Sequence, residues 1–250
     1  MFQNLRSWFE SIHKSVSEKI AILLPTRKRS EWLKRFWSSV VETVADISNV
    51  RMYLYIDEDD PESTETAMEL QDSFPGRVFF LVGPRIVMSE MPNKLFEMAQ
   101  NEDIFFLAGD DLIMRTNDWD TLVINSFAEI EDRIALVYGV DGGESQHPPD
   151  FATHPIIHRR WHDVLGYINP PYFSCDYADT WLNTLADSVG RKYLLPMYNE
   201  HMHFTVGKSE FDSTYLEGRQ RFASDNVPKQ FEELSKEREK DIVKLKEYIK

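Results

Sequence analysis

Four short apolar runs, each ending on a polar turn and separated from the next by a helix-length amphipathic stretch, set the strongest limit on how this chain can fold. The first, KIAILLPTRKR (residues 19–29), is apolar without interruption up to Pro25, the pattern of a strand buried on both faces that gives way to a polar loop. Ser30 then offers an N-cap oxygen, and Trp32, Leu33, Phe36, Trp37, Val40, Val41 and Val44 recur at helical spacing. The second run, VRMYLYID, alternates Val50, Met52, Leu54 and Ile56 with amphipathic neighbours and ends on Asp57 ahead of the turn-rich EDDPEST. A helix over 64–73 leads to RVFFLVG (77–83), stopped by Gly-Pro, and a helix opening at MPNKLFEMAQN delivers the chain into DIFFLA (103–108). Such alternation predicts an α/β domain on a largely parallel sheet, in which ligands collect beyond the carboxyl ends of the strands. Arg27, Asp57, Asp110 and Asp111 all fall there.

The second half is less regular. DWDTLVINSFAEIED reads as a helix, IALVYGV as a strand and DGGESQHPPD (141–150) as a Gly- and Pro-rich loop. Ala178, Trp181, Leu182, Leu185, Ala186 and Val189 make a helix closed by Gly190, and KYLLPMY a strand placed at an edge by Pro196. From Pro228 onward a charged amphipathic helix carries Phe231, Leu234, Ile242, Leu245 and Ile249 on a narrow stripe, which could pack on its own domain or pair with a second copy. At the other terminus, Phe2, Leu5, Phe9 and Ile12 line one side of a short amphipathic helix over 1–18, too interrupted by charge for a signal peptide. No segment approaches the ~20 apolar residues of a membrane span. The expected organisation is therefore an amino-terminal helix (1–18), one catalytic α/β domain (19–226, divided near 140) and a terminal helix (227–250).

Charge and cysteine content narrow the function. With 28 basic and 42 acidic residues the chain carries −14, which argues against a broad electrostatic grip on nucleic acid or anionic lipid. Cys175, the single cysteine, can form no intramolecular disulfide and no thiolate zinc site, and fits a reducing, cytoplasmic setting.

The stretch FFLAGDDLIM places two neighbouring carboxylates directly after a buried strand, an unfavourable arrangement unless a cation or ligand sits there. Successive side chains of an extended segment point opposite ways, so Asp110 and Asp111 cannot chelate one ion side by side. A workable division has one aspartate on a hard divalent cation and the other on a sugar hydroxyl or a metal-bound water, with Gly109 letting the ligand approach. In EHMH, positions i and i+2 share a strand face, so His201 and His203 would point together toward such an ion. DYADTWL places Asp176 and Asp179 at a helix start, where simple capping accounts for either one but less naturally for both. Trp161, Tyr167, Tyr172, Phe173 and Trp181 could offer aromatic faces to a sugar, with core packing the plainer role for Trp181.

A strand leading into PTRKR, a strand ending in Asp57, then MPNKL, FFLAGDD, YADTWLNTLADSVGR and EHMHFTVGKSEFDSTY, in that order, resemble GT-A type glycosyltransferases of the family 2-like group, in particular small bacterial and phage ones. The likeness covers about residues 20–216. It implies the GT-A (nucleotide-diphospho-sugar transferase) fold, a mostly parallel central sheet flanked by helices, with the terminal helix as an extension. It also implies a nucleotide-sugar donor, UDP-sugar favoured, held by Pro25, Thr26, Arg27 and Asp57 around the base, with Asn93 and Lys94 near the nucleotide. The family's Asp-X-Asp signature is shifted here, because Ala108 or Gly109 stands at its first position. That leaves Asp111 as the implied ligand of Mn²⁺ or Mg²⁺, Asp110 as the ribose or neighbouring group, and His201 ahead of His203 as the histidine on the metal. Asp179, with Asp176 in reserve, takes the place of the base that deprotonates the acceptor hydroxyl in an inverting displacement.

The implied acceptor is a saccharide or another hydroxyl compound; a hydroxylated base in nucleic acid stays open but is disfavoured by the net charge. A sugar-phosphate nucleotidyltransferase would carry a Gly-rich loop after the first strand, where this chain has LLPTRKRS. A non-catalytic binding protein on the same fold would tolerate loss of the acids that are present. Oligomeric state is open.

Overall fold

The structure, a computed structural model, describes residues 18–141 and 150–249. The expected amino-terminal helix and most of the 141–150 loop lie outside the described residues. The described chain builds one eight-stranded sheet in the order β3-β2-β1-β4-β7-β6-β8-β5. Its strands are β1 (Ile20–Thr26), β2 (Val50–Asp57), β3 (Val78–Gly83), β4 (Ile104–Leu107), β5 (Leu112–Met114), β6 (Leu136–Val140), β7 (Ile156–His158) and β8 (Lys192–His201). The helices are α1 (Ser30–Thr43), α2 (Pro61–Ser73), α3 (Met91–Met98), α4 (Trp119–Ala128), α5 (Arg159–Leu165), α6 (Ala178–Ser188), α7 (Ser213–Asp225), α8 (Val227–Glu233) and α9 (Ser235–Tyr248).

β3, β2, β1 and β4 are mutually parallel, as the strand–helix alternation predicts. Beyond β4 the sheet turns mixed: β7 is antiparallel to both β4 and β6, β6 and β8 are parallel, and β5 pairs antiparallel with the end of β8. The period-two alternation of strand side chains divides the core cleanly between the two faces. Ile20, Ile22 and Leu24 of β1 pack with Leu33, Phe36, Trp37 and Trp119 on one side, while Ala21 and Leu23 pack with Leu95, Phe105, Trp161 and Trp181 on the other. Each such buried large side chain contributes about 1.5–3 kcal/mol by leaving water, before its entropy cost.

Local chemistry moves several boundaries. Ser30 is the first residue of α1, not its cap, and its hydroxyl donates to Glu62 at 2.6 Å. α2 begins earlier than residue 64, because Asp60 accepts from the Ser63 amide and Pro61 occupies the first turn. β8 lies between β6 and β5, so Pro196 is not in an edge strand by sheet order. β5 covers only Asn199–His201, however, and the β6 ladder shifts register between Tyr138 and Val140, so the proline sits beside an open flank at an irregularity. The terminal helix divides at Leu234 into α8 and α9 and packs on its own chain, with Leu245 and Asp241 buried. Asp241 accepts from Tyr167 Oη at 2.5 Å, and Tyr167 Oη in turn accepts from Trp181 Nε1 at 3.0 Å. Trp161, Trp181, Tyr167 and Phe173 are buried in this core and offer no platform to a ligand.

Candidate active site

The parallel register places the carboxyl ends of β1, β2 and β4 along one edge, with Thr26 opposite Ile56 and Leu23 opposite Leu107. Arg27, Asp57 and Gly109–Asp111 therefore converge on a cavity of about 550 Å³, which is closed from the other side by residues 175–177 and the first turn of α6, His201–Val206 and one face of α7.

Asp110 and Asp111 occupy the turn between β4 and β5, both buried, and face different partners. Asp110 accepts from Thr26 Oγ1 at 2.8 Å and from Arg29 Nη1 at 2.9 Å. Burial pushes its carboxyl above the usual carboxylate range and the Asp111 charge adds to this, against the pull of Arg29. Asp111 Oδ2 lies 3.1 Å from His201 Nε2 and accepts from Tyr215 Oη at 3.1 Å. Burial would raise its pKa as well, but the hydrogen bond and charge of His201 outweigh that, and Asp111 is held far below the usual carboxylate range. Of the two acids it is the permanent anion.

His201 bridges two carboxylates, since its Nδ1 lies 3.2 Å from Asp141 Oδ2. Burial opposes its charge, yet Asp111 and Asp141 together lift its pKa to about 10. His154 completes the cluster, and one donor atom each from Asp111, His154 and His201 lie within 4.8 Å of one another. Burial, then the His201 charge, drives His154 down to about 4, so it presents a neutral imidazole. Gly109 is required by this geometry: a Cβ there would lie 2.6 Å from Asp111 Oδ1 and 3.3 Å from His154 Nε2. One carboxylate and two imidazoles with room for water or substrate oxygens is a donor set suited to Mn²⁺ and similar divalent ions. His203 lines the cavity but stands outside this group; its Nδ1 is 2.7 Å from Thr205 Oγ1 and its ring meets Tyr215 edge-on at 4.8 Å.

On the β1–β2 side, Arg27 Nη1 donates to Asp57 Oδ2 at 2.9 Å, and Arg27 also pairs with Asp59 and Glu217. Asp57 Oδ1 is enclosed and has no hydrogen-bond partner, an unmet acceptor in a residue that lines the cavity. Burial raises the Asp57 pKa despite Arg27. Pro25 and Thr26 line the same wall. Asn93 and Lys94 are placed away from it: Asn93 Oδ1 accepts from the amides of Ile168 and Asn169 and its Nδ2 donates to Asn169 O at 2.7 Å, while Lys94 pairs with Glu97 at 3.5 Å on the surface.

Asp176 and Asp179 line the far part of the cavity. Neither caps α6, whose N-cap is Tyr177 without a side-chain bond. Asp176 and Tyr177 are both left-handed, at φ 44° and 62°, a costly conformation for consecutive non-glycine residues. Asp179 Oδ1 accepts from the Thr180 amide at 2.6 Å. It is partly exposed and lines the cavity, and burial lifts its carboxyl to about 6, the backbone bond to Thr180 only partly offsetting this.

His154, Asp141, Arg29 and Tyr215 escaped the sequence reading. Asp141 directly follows β6 much as Asp57 closes β2, a signal that was present. His154 had none, because β7 runs antiparallel beside β4 and brings its amino end, not its carboxyl end, to the site, with Leu107 N donating to Pro155 O at 3.0 Å.

No protein-family model matches the sequence, and no curated protein is significantly similar to it. Solved structures do match in fold. Mannosyltransferase PcManGT from Pyrobaculum calidifontis, in complex with GDP-Man and Mn²⁺, aligns at 12% identity and TM-score 0.57 over 74% of this chain and 57% of its own. TarS of S. aureus in complex with UDP-GlcNAc aligns at 11% identity and TM-score 0.53 over 72% of this chain and 58% of its own. GalNAc-T7 with UDP, GalNAc and Mn²⁺ aligns at 12% identity and TM-score 0.61, over 75% of this chain and 44% of its own. The chain thus spans roughly half the length of each of these proteins, and it has the GT-A fold.

Proposed function

We propose that this protein is a metal-dependent glycosyltransferase that moves a sugar from a nucleoside-diphosphate donor to a hydroxyl acceptor with inversion. The observation that carries the reading is the Asp111, His154 and His201 cluster at the carboxyl edge of the parallel strands, beside a buried aspartate with an unmet acceptor. Asp111, His154 and His201 would hold Mn²⁺ or Mg²⁺, with His203 and Asp141 behind them. Bound there, the metal supplies Lewis-acid charge that offsets the negative charge developing on a diphosphate leaving group.

This chain's own residues carry the rest. Asp57 Oδ1 takes an N–H from the base, chemistry that fits the imide of uracil and favours a UDP-sugar. Pro25, Thr26 and Arg27 shape the wall around the nucleoside, and Asp110 faces the ribose. Asp179 removes the acceptor proton; a carboxyl titrating near 6 is ionised at neutral pH yet more basic than a solvated one. Asp176 is the reserve for that role. The ligands in the structures of similar fold, GDP-Man with Mn²⁺, UDP with Mn²⁺ and UDP-GlcNAc, support a nucleotide-sugar donor.

The test is a panel of nucleotide sugars assayed for transfer or hydrolysis with and without Mn²⁺, alongside Mn²⁺ titration followed by electron paramagnetic resonance. One donor should turn over, and only with metal. His154→Ala should weaken Mn²⁺ by ~10–100-fold while the fold persists. Metal-independent nucleotide binding, indifferent to His154 and Asp111, would sink the reading.

A further inference from the structure

α7 carries a glycine that neither its backbone nor its packing explains. Gly218 lies mid-helix, where glycine weakens a helix relative to alanine, and it is not among the residues with positive φ. A Cβ at this position would meet no atom within 4 Å. Gly218 lines the cavity together with Thr214, Tyr215, Arg219, Arg221 and Phe222, and the space a side chain would have taken there is open.

The two neighbouring arginines differ from those at the strand ends. Arg27 and Arg29 are each tied to carboxylates, Arg29 at 2.9 Å from Asp110 and 2.8 Å from Asp212. Among the described residues, neither Arg219 nor Arg221 lies within ion-pair distance of a carboxylate, in a chain whose net charge is −14. Asp225 feels the Arg221 charge without pairing with it. Arg221 Nε is enclosed and has no hydrogen-bond partner, and the Arg219 guanidinium is left over the Phe204 ring at 5.9 Å. An enclosed guanidinium nitrogen without an acceptor is costly, and two arginines that line a cavity with no carboxylate beside them are suited to an anionic ligand.

Position within the cavity separates this feature from the donor. Thr214 and Tyr215, at the start of α7, bond Arg27 O and Asp111. One turn later the helix faces the acceptor loop instead: Cys175 Sγ is 3.5 Å from Gly218 O, and Phe222 packs on Tyr177 at 6.1 Å. That loop leads directly into Asp179.

We propose that Gly218, Arg219 and Arg221 form a subsite for the phosphate group of a small phosphorylated saccharide or polyol, bound as the acceptor with a hydroxyl directed to Asp179. This rests on the transferase reading above. Two guanidiniums match the ~1.5–2 negative charges of a phosphate monoester near neutral pH, and the bare glycine backbone lets a tetrahedral anion come close. The acidity of the whole chain disfavours a polynucleotide as the source of that phosphate.

The experiment is calorimetric titration of the full chain, without turnover, using glucose 6-phosphate, glucose, UDP and a short single-stranded oligonucleotide as probes. Glucose 6-phosphate should bind and glucose should not. Arg221→Gln should weaken glucose 6-phosphate about tenfold and Arg219→Gln less, both leaving UDP affinity in place. Gly218→Ala should raise the melting temperature while weakening glucose 6-phosphate, a combination that a structural glycine would not give. Equal loss of UDP binding in the arginine variants would assign them to the donor and overturn the proposal, as would equal affinity for glucose and glucose 6-phosphate, or tighter binding of the oligonucleotide. Phosphate-selective binding with no transfer from any nucleotide sugar would leave the subsite standing and remove the transferase reading.

Discussion

The two ends of the cavity handle charge in opposite ways. At the strand ends, charges come in interlocked sets: Arg27 with Asp57, Asp59 and Glu217, Arg29 with Asp110 and Asp212, and His201 with Asp111 and Asp141. At the α6–α7 end, Arg219 and Arg221 have no carboxylate within reach among the described residues, and burial holds the Asp179 carboxyl at about 6. A saturated network can bind a ligand only by exchanging partners, and it keeps its geometry until then. An enclosed polar atom without a partner, such as Arg221 Nε, already bears its desolvation cost, whereas the exposed Arg219 bears little. On the transferase reading proposed above, the strand end is organised for position and the α6–α7 end for selection.

Variants can break this contrast. The largest effect is expected for Asp111→Ala, which removes the permanent anion of the saturated end: transfer should fall by on the order of 10³ or more, with near-native circular dichroism. Retained turnover would show that the interlocked set is structural only.

Asp179→Asn should cost roughly 10²–10⁴ in transfer and leave nucleotide binding unchanged. In the parent protein transfer should rise with pH through about 6 as Asp179 ionises. Its folded pKa lies above the ordinary value of 3.8, so the fold favours the protonated form; that stabilisation is complete below about pH 4 and is lost as pH rises through about 6. Asp179→Asn should therefore stabilise the protein by roughly 1–3 kcal/mol at pH 8 and by little at pH 3, measured by urea denaturation. Equal effects at both pH values would remove the burial argument.

A smaller effect is expected from Asp212→Asn. It loosens the hold of α7 on Arg29, which is stacked between Trp32 at 4.5 Å and Tyr215 at 4.1 Å, and should cost about 1 kcal/mol of stability. The smallest is Glu217→Gln, which frees Arg27 and Arg85 from one carboxylate and should tighten nucleoside diphosphate binding a few-fold by titration. Weaker binding in that variant would show that the partner exchange does not occur.

How much of this was legible in the sequence follows the same division. The parallel half announces itself because its strands are continuous apolar runs and its functional residues sit where those runs stop; β2 begins and ends where VRMYLYID does. The mixed half hides its contributions. His154 precedes a three-residue strand, and Tyr215 and Arg221 lie on a helix whose cavity face is polar and therefore carries no hydrophobic stripe to orient it. Conversely, the aromatic residues of NPPYF looked available for ligands, but Phe231 of α8 packs on Phe173 and on its neighbours Tyr177 and Trp181, the last in the core role its spacing already favoured. That contact is made some fifty residues downstream and leaves no mark in the local pattern.

The reversed course of β7 has one more consequence. Because it carries His154 back to meet Asp111, and His201 arrives only at the end of β8, the chelating group exists only once strands distant in the chain have paired. If that cluster holds manganese as proposed, a ribosome-bound chain that has not yet exposed residue 201 could not sequester it, and ion uptake would mark the completion of folding instead of guiding its start.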